Sequence, residues 1–362
     1  MKILKNALGC DFVLDFPSER KNTKIKLLQL TDMQIIDAEQ RRTPDRLRPD
    51  EITAWSPDRF DANFGDHVRS LVATTSPDFI FITGDIIYGS FDDKGTTFEW
   101  FCSFMDSLGI PWAPVFGNHD NESARGVDWQ CEQLEKSKNC IFKRGSVSGN
   151  SNYTVGIAID SELLRVMYMI DSNGCKGATD PAVTREKGIF PDQIEWLKAT
   201  ADNVSTLAGR AVPAFMAFHI PTNEFVEAEI AKGYRTEERY QYAIGVDAPA
   251  KDGDFGCNYE MHANVTMSVD GFKELVSATH TDAVLVGHCH AINTVIHYEG
   301  VTYAYGLKTG QYDYHNPYQL GGTLITLLGE SFEIAHVPAL VRCSPFAGGA
   351  KHFADFFTPK GF

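Results

Sequence analysis

The sequence is short of positive charge. Lys and Arg number 33 against 48 Asp and Glu, a formal net charge of −15. Surfaces that track nucleic acid or anionic membrane need a basic footprint, so general nucleic-acid binding and membrane-surface binding are both disfavoured. No stretch approaches the roughly 18 apolar residues of a membrane span. The N-terminal run around Ile3, Leu4, Ala7 and Leu8 is too short and too interrupted for a secretory signal. The eight cysteines are scattered without a CxxC pair, which reads as buried, reduced thiols of a cytoplasmic protein. Internal repeats and low-complexity tracts are also missing. What remains is ordinary globular material: 362 residues, 43% hydrophobic and 22% charged, enough for a sizeable core. An acidic chain can still act on an anionic substrate where bound metal ions supply the local positive charge.

What the chain does have is a recurring unit, an apolar run followed by a turn carrying Asp, Asn or His. Val284-Leu285-Val286-Gly287-His288-Cys289-His290 is the most telling example. Residues i and i+2 of a strand share a face, so His288 and His290 can reach one site while Cys289 points away. Paired neutral imidazoles are common transition-metal ligands, although an isolated H-x-H also occurs as a plain surface pair. The same unit recurs at Ile25–Leu30 before Asp32, at 78–83 before Gly84-Asp85, at 112–116 before Gly117-Asn118-His119-Asp120, and at 214–218 before His219. Sites in open α/β sheets form beyond the carboxyl ends of strands, and five such ends bearing ligand-type side chains are hard to explain by packing.

Further strands are expected near 153–158, 164–170, 292–297, 301–305, 322–328 and 332–336, with helices over 60–75, 96–108, 191–203 and 270–279. Residues 1–362 read as a single domain with its core at about 24–336. About 24 residues precede the first strand. Insertions fall near 37–58 and 222–265, the second polar and lid-like, and an aromatic tail occupies 338–362.

Taken in order, Asp32, Gly84-Asp85, Gly117-Asn118-His119-Asp120, His219 and Gly287-His288-Cys289-His290 resemble the blocks of the calcineurin-like metallophosphoesterases. The resemblance implies an α/β fold, a four-layer αββα sandwich of two mixed sheets flanked by helices. It also implies two metal ions. Such a pair, about 3.5–4 Å apart, can bridge a hydroxide, lower its pKa and neutralise phosphoryl oxygens during in-line attack. By the same resemblance one metal takes Asp32, Asp85 and His290. The other takes Asp85, Asn118, His219 and His288. His119 would stand over the scissile phosphate as a catalytic group oriented by Asp120.

One block departs from the family. A histidine normally stands two residues after the first aspartate, and here that position is Gln34. Gly84-Asp85-Ile86-Ile87-Tyr88 matches the GDxxY block of purple acid phosphatases, whose tyrosine ligates a ferric ion. The resemblance therefore adds Tyr88 as a metal ligand and iron, paired with iron, manganese or zinc, as the metals. It is nearest to the small, single-domain, intracellular-type members. Gln34, Arg41 and Tyr312 are candidates on the substrate side. Arg41 belongs to an arginine-bearing loop after the first strand, and Tyr312 to a Tyr-rich stretch able to stack on an aromatic leaving group or to close the core.

The expectation is dinuclear-metal hydrolysis of a phosphate ester, a phosphomonoester ahead of a phosphodiester, on a phosphorylated small molecule or nucleotide-like substrate. The alternative is a non-catalytic scaffold on the same fold with a degraded first metal site. A nuclease runs against the net charge. The oligomeric state is not legible.

Overall fold

Alternation along two short strands decides the layering. In β8 (Ala214–Ala217), Phe215 and Ala217 join one hydrophobic cluster while Ala214 and Met216 join another. In β11 (Thr281–Val286), Ala283 and Leu285 divide from Val284 and Val286 in the same way. A strand apolar on both faces has to be covered on both, here by a second sheet on one side and helices on the other. The computed structural model describes residues 1–40, 56–174, 186–260, 266–311 and 315–339.

The larger sheet holds β1 (Lys2–Ala7), β2 (Cys10–Phe16), β6 (Tyr153–Ile159), β7 (Glu162–Met169), β8, β11, β12 (Val295–Tyr298) and β13 (Val301–Tyr305). Its order is β1-β2-β6-β7-β8-β11-β13-β12, with β7, β8, β11 and β13 mutually parallel. The smaller sheet runs β15-β14-β3-β4-β5. Its members are β3 (Ile25–Leu30), β4 (Phe79–Thr83), β5 (Trp112–Val115), β14 (Gly321–Leu328) and β15 (Ser331–Pro338), and β3, β4 and β5 are parallel. Leu14, Phe215 and Leu285 of the first sheet meet Leu28, Ile80 and Val115 of the second in one buried cluster.

Outside the smaller sheet lie α1 (Asp66–Thr75), α2 (Thr96–Ser107) and α3 (Val127–Lys136), anchored by Leu71, Phe101 and Leu134. Outside the larger lie α4 (Pro191–Ala208), α5 (Asn223–Ala231) and α6 (Phe272–Ala278), anchored by Leu197, Phe225 and Leu275. The result is the four-layer αββα sandwich. The signals that set α4 are visible in its sequence. Pro191 opens it, the Gln193 side-chain oxygen accepts the Phe190 N–H at 2.8 Å, and Gly209 at φ 67° ends it.

The structure departs from the sequence reading in three places. Two strands, β1 and β2, occupy the segment expected to precede the first strand, and they bury Cys10, Val13 and Leu14. Their apolar residues come in runs of no more than three, broken by Lys, Asn or Asp, so no long hydrophobic run advertises them. The helix α3 was not anticipated at all. The polar segment from 222 is not purely lid-like either: α5 buries Phe225 and Ala228 in the outer core, and a two-stranded ribbon, β9 (Tyr242–Ala243) with β10 (Cys257–Asn258), follows. Most of the first insertion (41–55) and the tail from 340 lie outside the described residues. Among the described residues no helix is long and apolar enough to cross a membrane. Cys10, Cys102, Cys131, Cys140, Cys257 and Cys289 are free thiols, all but Cys140 fully buried.

Candidate metal centre

Parallel strands present their carboxyl ends on one rim. Asp32 follows β3, Asp85 follows β4 and Asn118 follows β5, all from the smaller sheet. His219 follows β8, and His288 and His290 follow β11, from the larger. The backbone at this rim is strained. Asp32 (φ 50°), Gln34 (φ 46°), Asp85 (φ 52°) and His288 (φ 71°) adopt the left-handed conformation that L-residues with side chains avoid. Hydrogen bonds hold them there: Asp32 N–H donates to the Gly84 carbonyl at 3.1 Å, Gln34 N–H to the Asp85 carbonyl at 2.9 Å, and His288 N–H to Asp32 Oδ2 at 2.9 Å. Strain that the surroundings over-determine is characteristic of functional sites.

Two of the motif glycines are there for room. A Cβ on Gly117 would stand 2.2 Å from Asp85 Oδ1, and one on Gly287 would stand 2.0 Å from Thr31 Oγ1 and 2.6 Å from Asp32 Oδ2. Either side chain would displace a carboxylate of the site.

Asp32, Asp85 and His290 are buried, and their ligand atoms all lie within 4.8 Å of one another, a set able to hold a metal ion. A second convergence adjoins it. His219 Nε2 is 3.2 Å from Asp85 Oδ2, 3.2 Å from Asn118 Oδ1 and 3.3 Å from His288 Nδ1. His219 Nδ1 faces the Thr83 carbonyl at 2.8 Å and so carries the proton that donates there. Its Nε2 is then a lone pair in the neutral ring, pointing where a carboxylate oxygen, an amide oxygen and another imidazole nitrogen also point. With the ring neutral, the lone pairs crowded there are relieved by a cation, either a bound metal or a proton on His219 Nε2. The donor set, two imidazoles, an amide oxygen and a shared carboxylate, suits a transition metal.

The electrostatics agree with that need. Burial alone would raise both carboxyls, but His290 beside Asp32 and His219 beside Asp85 outweigh it and hold both below the usual carboxylate range. Burial disfavours a charged His219, yet the Asp85 and Asp32 carboxylates lift it to about 9. Burial, then the neighbouring His219, pushes His288 down to about 3.

His119 sits at the mouth, its side chain 20% exposed. Its N–H donates to Asp85 Oδ1 at 2.8 Å, and its ring stacks on Tyr88 with centroids 4.2 Å apart. The carboxylate that holds its imidazole is not Asp120, and the expected orienting role is corrected. Glu122 Oε2 lies 2.8 Å from His119 Nδ1. The Asp120 carboxylate turns inward and accepts the N–H groups of Gly117 at 2.7 Å and Ile87 at 3.0 Å, tying two motif loops together. Burial and then the nearby Asp85 raise Asp120 to about 7. Glu122→Gln should therefore cut phosphate-ester turnover about tenfold while leaving metal content and KM unchanged. A changed metal content would make Glu122 part of the ligand framework.

Tyr88 is buried between His119 and the edge of Phe91. Gln34 is buried beside the first triad, its Nε2 donating to Asp85 Oδ2 at 3.2 Å. Arg41 and Tyr312 lie outside the described residues. Sequence reasoning missed Glu122 and Lys308. The first stood three residues beyond His119. The second follows β13, whose parallel register sets Tyr305 beside Val286 and so delivers residue 308 to the same rim.

Comparison with known proteins points the same way. Residues 25–291 match the family model described as calcineurin-like phosphoesterase. An uncharacterised protein, C1020.05, of Schizosaccharomyces pombe is 29% identical over 240 residues, 63% of this chain. The match spans 42% of that relative's length. A protein of Arabidopsis thaliana named probable inactive purple acid phosphatase 29 is 24% identical over 318 residues, 81% of this chain and 73% of its own. Among solved structures, a dimetal phosphatase from Danio rerio superposes with a TM-score of 0.51 at 10% identity, covering 86% of this chain and 95% of that one.

Proposed function

From the chain's membership of the calcineurin-like phosphoesterase family, which the match over 25–291 establishes, we propose that it hydrolyses a phosphate ester at a dinuclear metal centre. The convergence on His219 Nε2 carries this reading, because a carboxylate oxygen, an amide oxygen and two imidazole nitrogens gathered beside the buried Asp32–Asp85–His290 group make up the donor set of a metal centre. Bound metal ions supply Lewis acidity toward phosphoryl oxygens and make a water nucleophilic at neutral pH.

The chain's own residues do the rest. Asp32, Asp85 and His290 form one ligand group, and Asn118, His219 and His288 share Asp85 from the other side. Tyr88 packs against His119, and Glu122 fixes the imidazole through Nδ1. His119 is the group placed to protonate the leaving oxygen as the P–O bond breaks and water oxygen joins phosphorus. The substrate is a phosphomonoester of a small molecule or nucleotide ahead of a diester, and the thiols suit a reducing compartment.

A non-catalytic scaffold is the second reading. Gln34 in a ligand position favours it, as does the word inactive in the name of the Arabidopsis relative. Elemental analysis of protein purified without chelator, followed by phosphate release from p-nitrophenyl phosphate and bis(p-nitrophenyl) phosphate, separates the two. Two metals per chain with faster turnover of the monoester is the expected result. Metal binding without turnover of any ester gives the scaffold.

A further inference from the structure

A lysine lies buried against the first ligand group. Lys308 is 1% exposed, and its Nζ donates to Gln34 Oε1 at 2.9 Å and to the Asp32 carbonyl oxygen at 2.8 Å. An ammonium only donates, so it fixes the orientation of the Gln34 amide. The oxygen faces Lys308 and the NH₂ faces Asp85. The Gln34 oxygen is committed to the ammonium, and its NH₂ acts as a hydrogen-bond donor to the shared carboxylate.

The lysine is held in place. Thr309 N–H donates to the Thr31 carbonyl at 2.8 Å, Thr31 N–H to Thr309 Oγ1 at 3.1 Å, and Gly310 N–H to the Asp32 carbonyl at 3.2 Å. A Cβ on Gly310 would meet the Met33 carbonyl oxygen at 2.0 Å, so segment 308–310 lies flat against the turn that carries Asp32. The backbone is thereby fixed beside the site, and the two bonds to Asp32 and Gln34 hold the ammonium toward it.

We propose that Lys308 is a built-in cation that selects the charge of the metal at the Asp32–Asp85–His290 position, admitting a divalent ion and disfavouring a trivalent one. The inference rests on the dinuclear reading given above. Two carboxylates attract any cation there, and a fixed ammonium one amide away repels it in proportion to its charge. A trivalent ion meets one more unit of that repulsion than a divalent ion. At an effective dielectric of about 20 and a separation of several ångströms, this is worth roughly 10²-fold in relative affinity. The centre is then a pair of divalent ions without a visible charge-transfer band, despite the purple acid phosphatase spelling of the motif.

The test is a competition between gallium(III), a redox-inert trivalent ion, and zinc(II) for metal-stripped wild type and Lys308→Met, read by elemental analysis of the desalted protein. Wild type should take up two zinc ions per chain and little gallium. Lys308→Met should raise the gallium-to-zinc ratio about 10²-fold. Two metals bound with the same ratio in both proteins overturns the inference and leaves the dinuclear reading standing. No metal bound by wild type overturns both. If the variant does not fold, the wild-type arm decides: preference for zinc supports the selection, and preference for gallium, or a charge-transfer band after iron loading, overturns it.

Discussion

Asp85→Asn should lower phosphate-ester turnover by more than about 10³-fold and take metal content below two ions per chain. The substitution keeps the side chain's shape and removes one of its two metal-binding oxygens. Oδ1 accepts the His119 N–H, while Oδ2 faces both His219 Nε2 and Gln34 Nε2 at 3.2 Å. An amide nitrogen at either position turns an acceptor into a donor. It also removes the charge that does most to lift His219, so the cluster loses its hold on protons as well as on metals. Thermal unfolding and circular dichroism establish that the variant is folded. Near-normal turnover by a folded Asp85→Asn protein would remove the dinuclear model.

His119→Ala should behave oppositely with respect to metal. Turnover should fall by roughly 10²–10⁴-fold with two metals retained. The imidazole is bound by Glu122 through Nδ1 and lies on Tyr88, and it contributes only its backbone N–H to Asp85, which alanine keeps. An ester with a better leaving group should recover much of the loss if His119 protonates the departing oxygen. Equal losses with good and poor leaving groups would assign it to charge stabilisation instead.

Much of the candidate site was legible because it is written in adjacent residues: a parallel strand is an unbroken apolar run, and the polar side chain stands just after it. Asp32, Asp85, Asn118, His219, His288 and His290 were all picked out this way, and the structure brings them to one rim. The supporting groups escaped for physical reasons. Asp120 adjoins His119 in sequence, yet a tight turn sends neighbouring side chains in different directions, and Glu122 comes round to the imidazole instead. Lys308 reaches Gln34 only because β13 lies parallel to β11, a pairing that no local pattern announces. The edge strand β1, with Lys2 and Lys5 among its few apolar residues, has too little contrast to be seen in isolation.

The division of ligands between the two sheets has a mechanical consequence. Asp32, Asp85 and Asn118 ride on the smaller sheet, and His219, His288 and His290 on the larger, so a cation shared among them would act as a clasp across the seam of the sandwich. Unfolding must part the sheets and break the ligand set together. At free metal one hundred times its Kd, the clasp adds about 2.7 kcal/mol against opening. Chelation and heating become two ways of parting the same joint, and resistance to heat becomes a gauge of how much metal the surroundings supply.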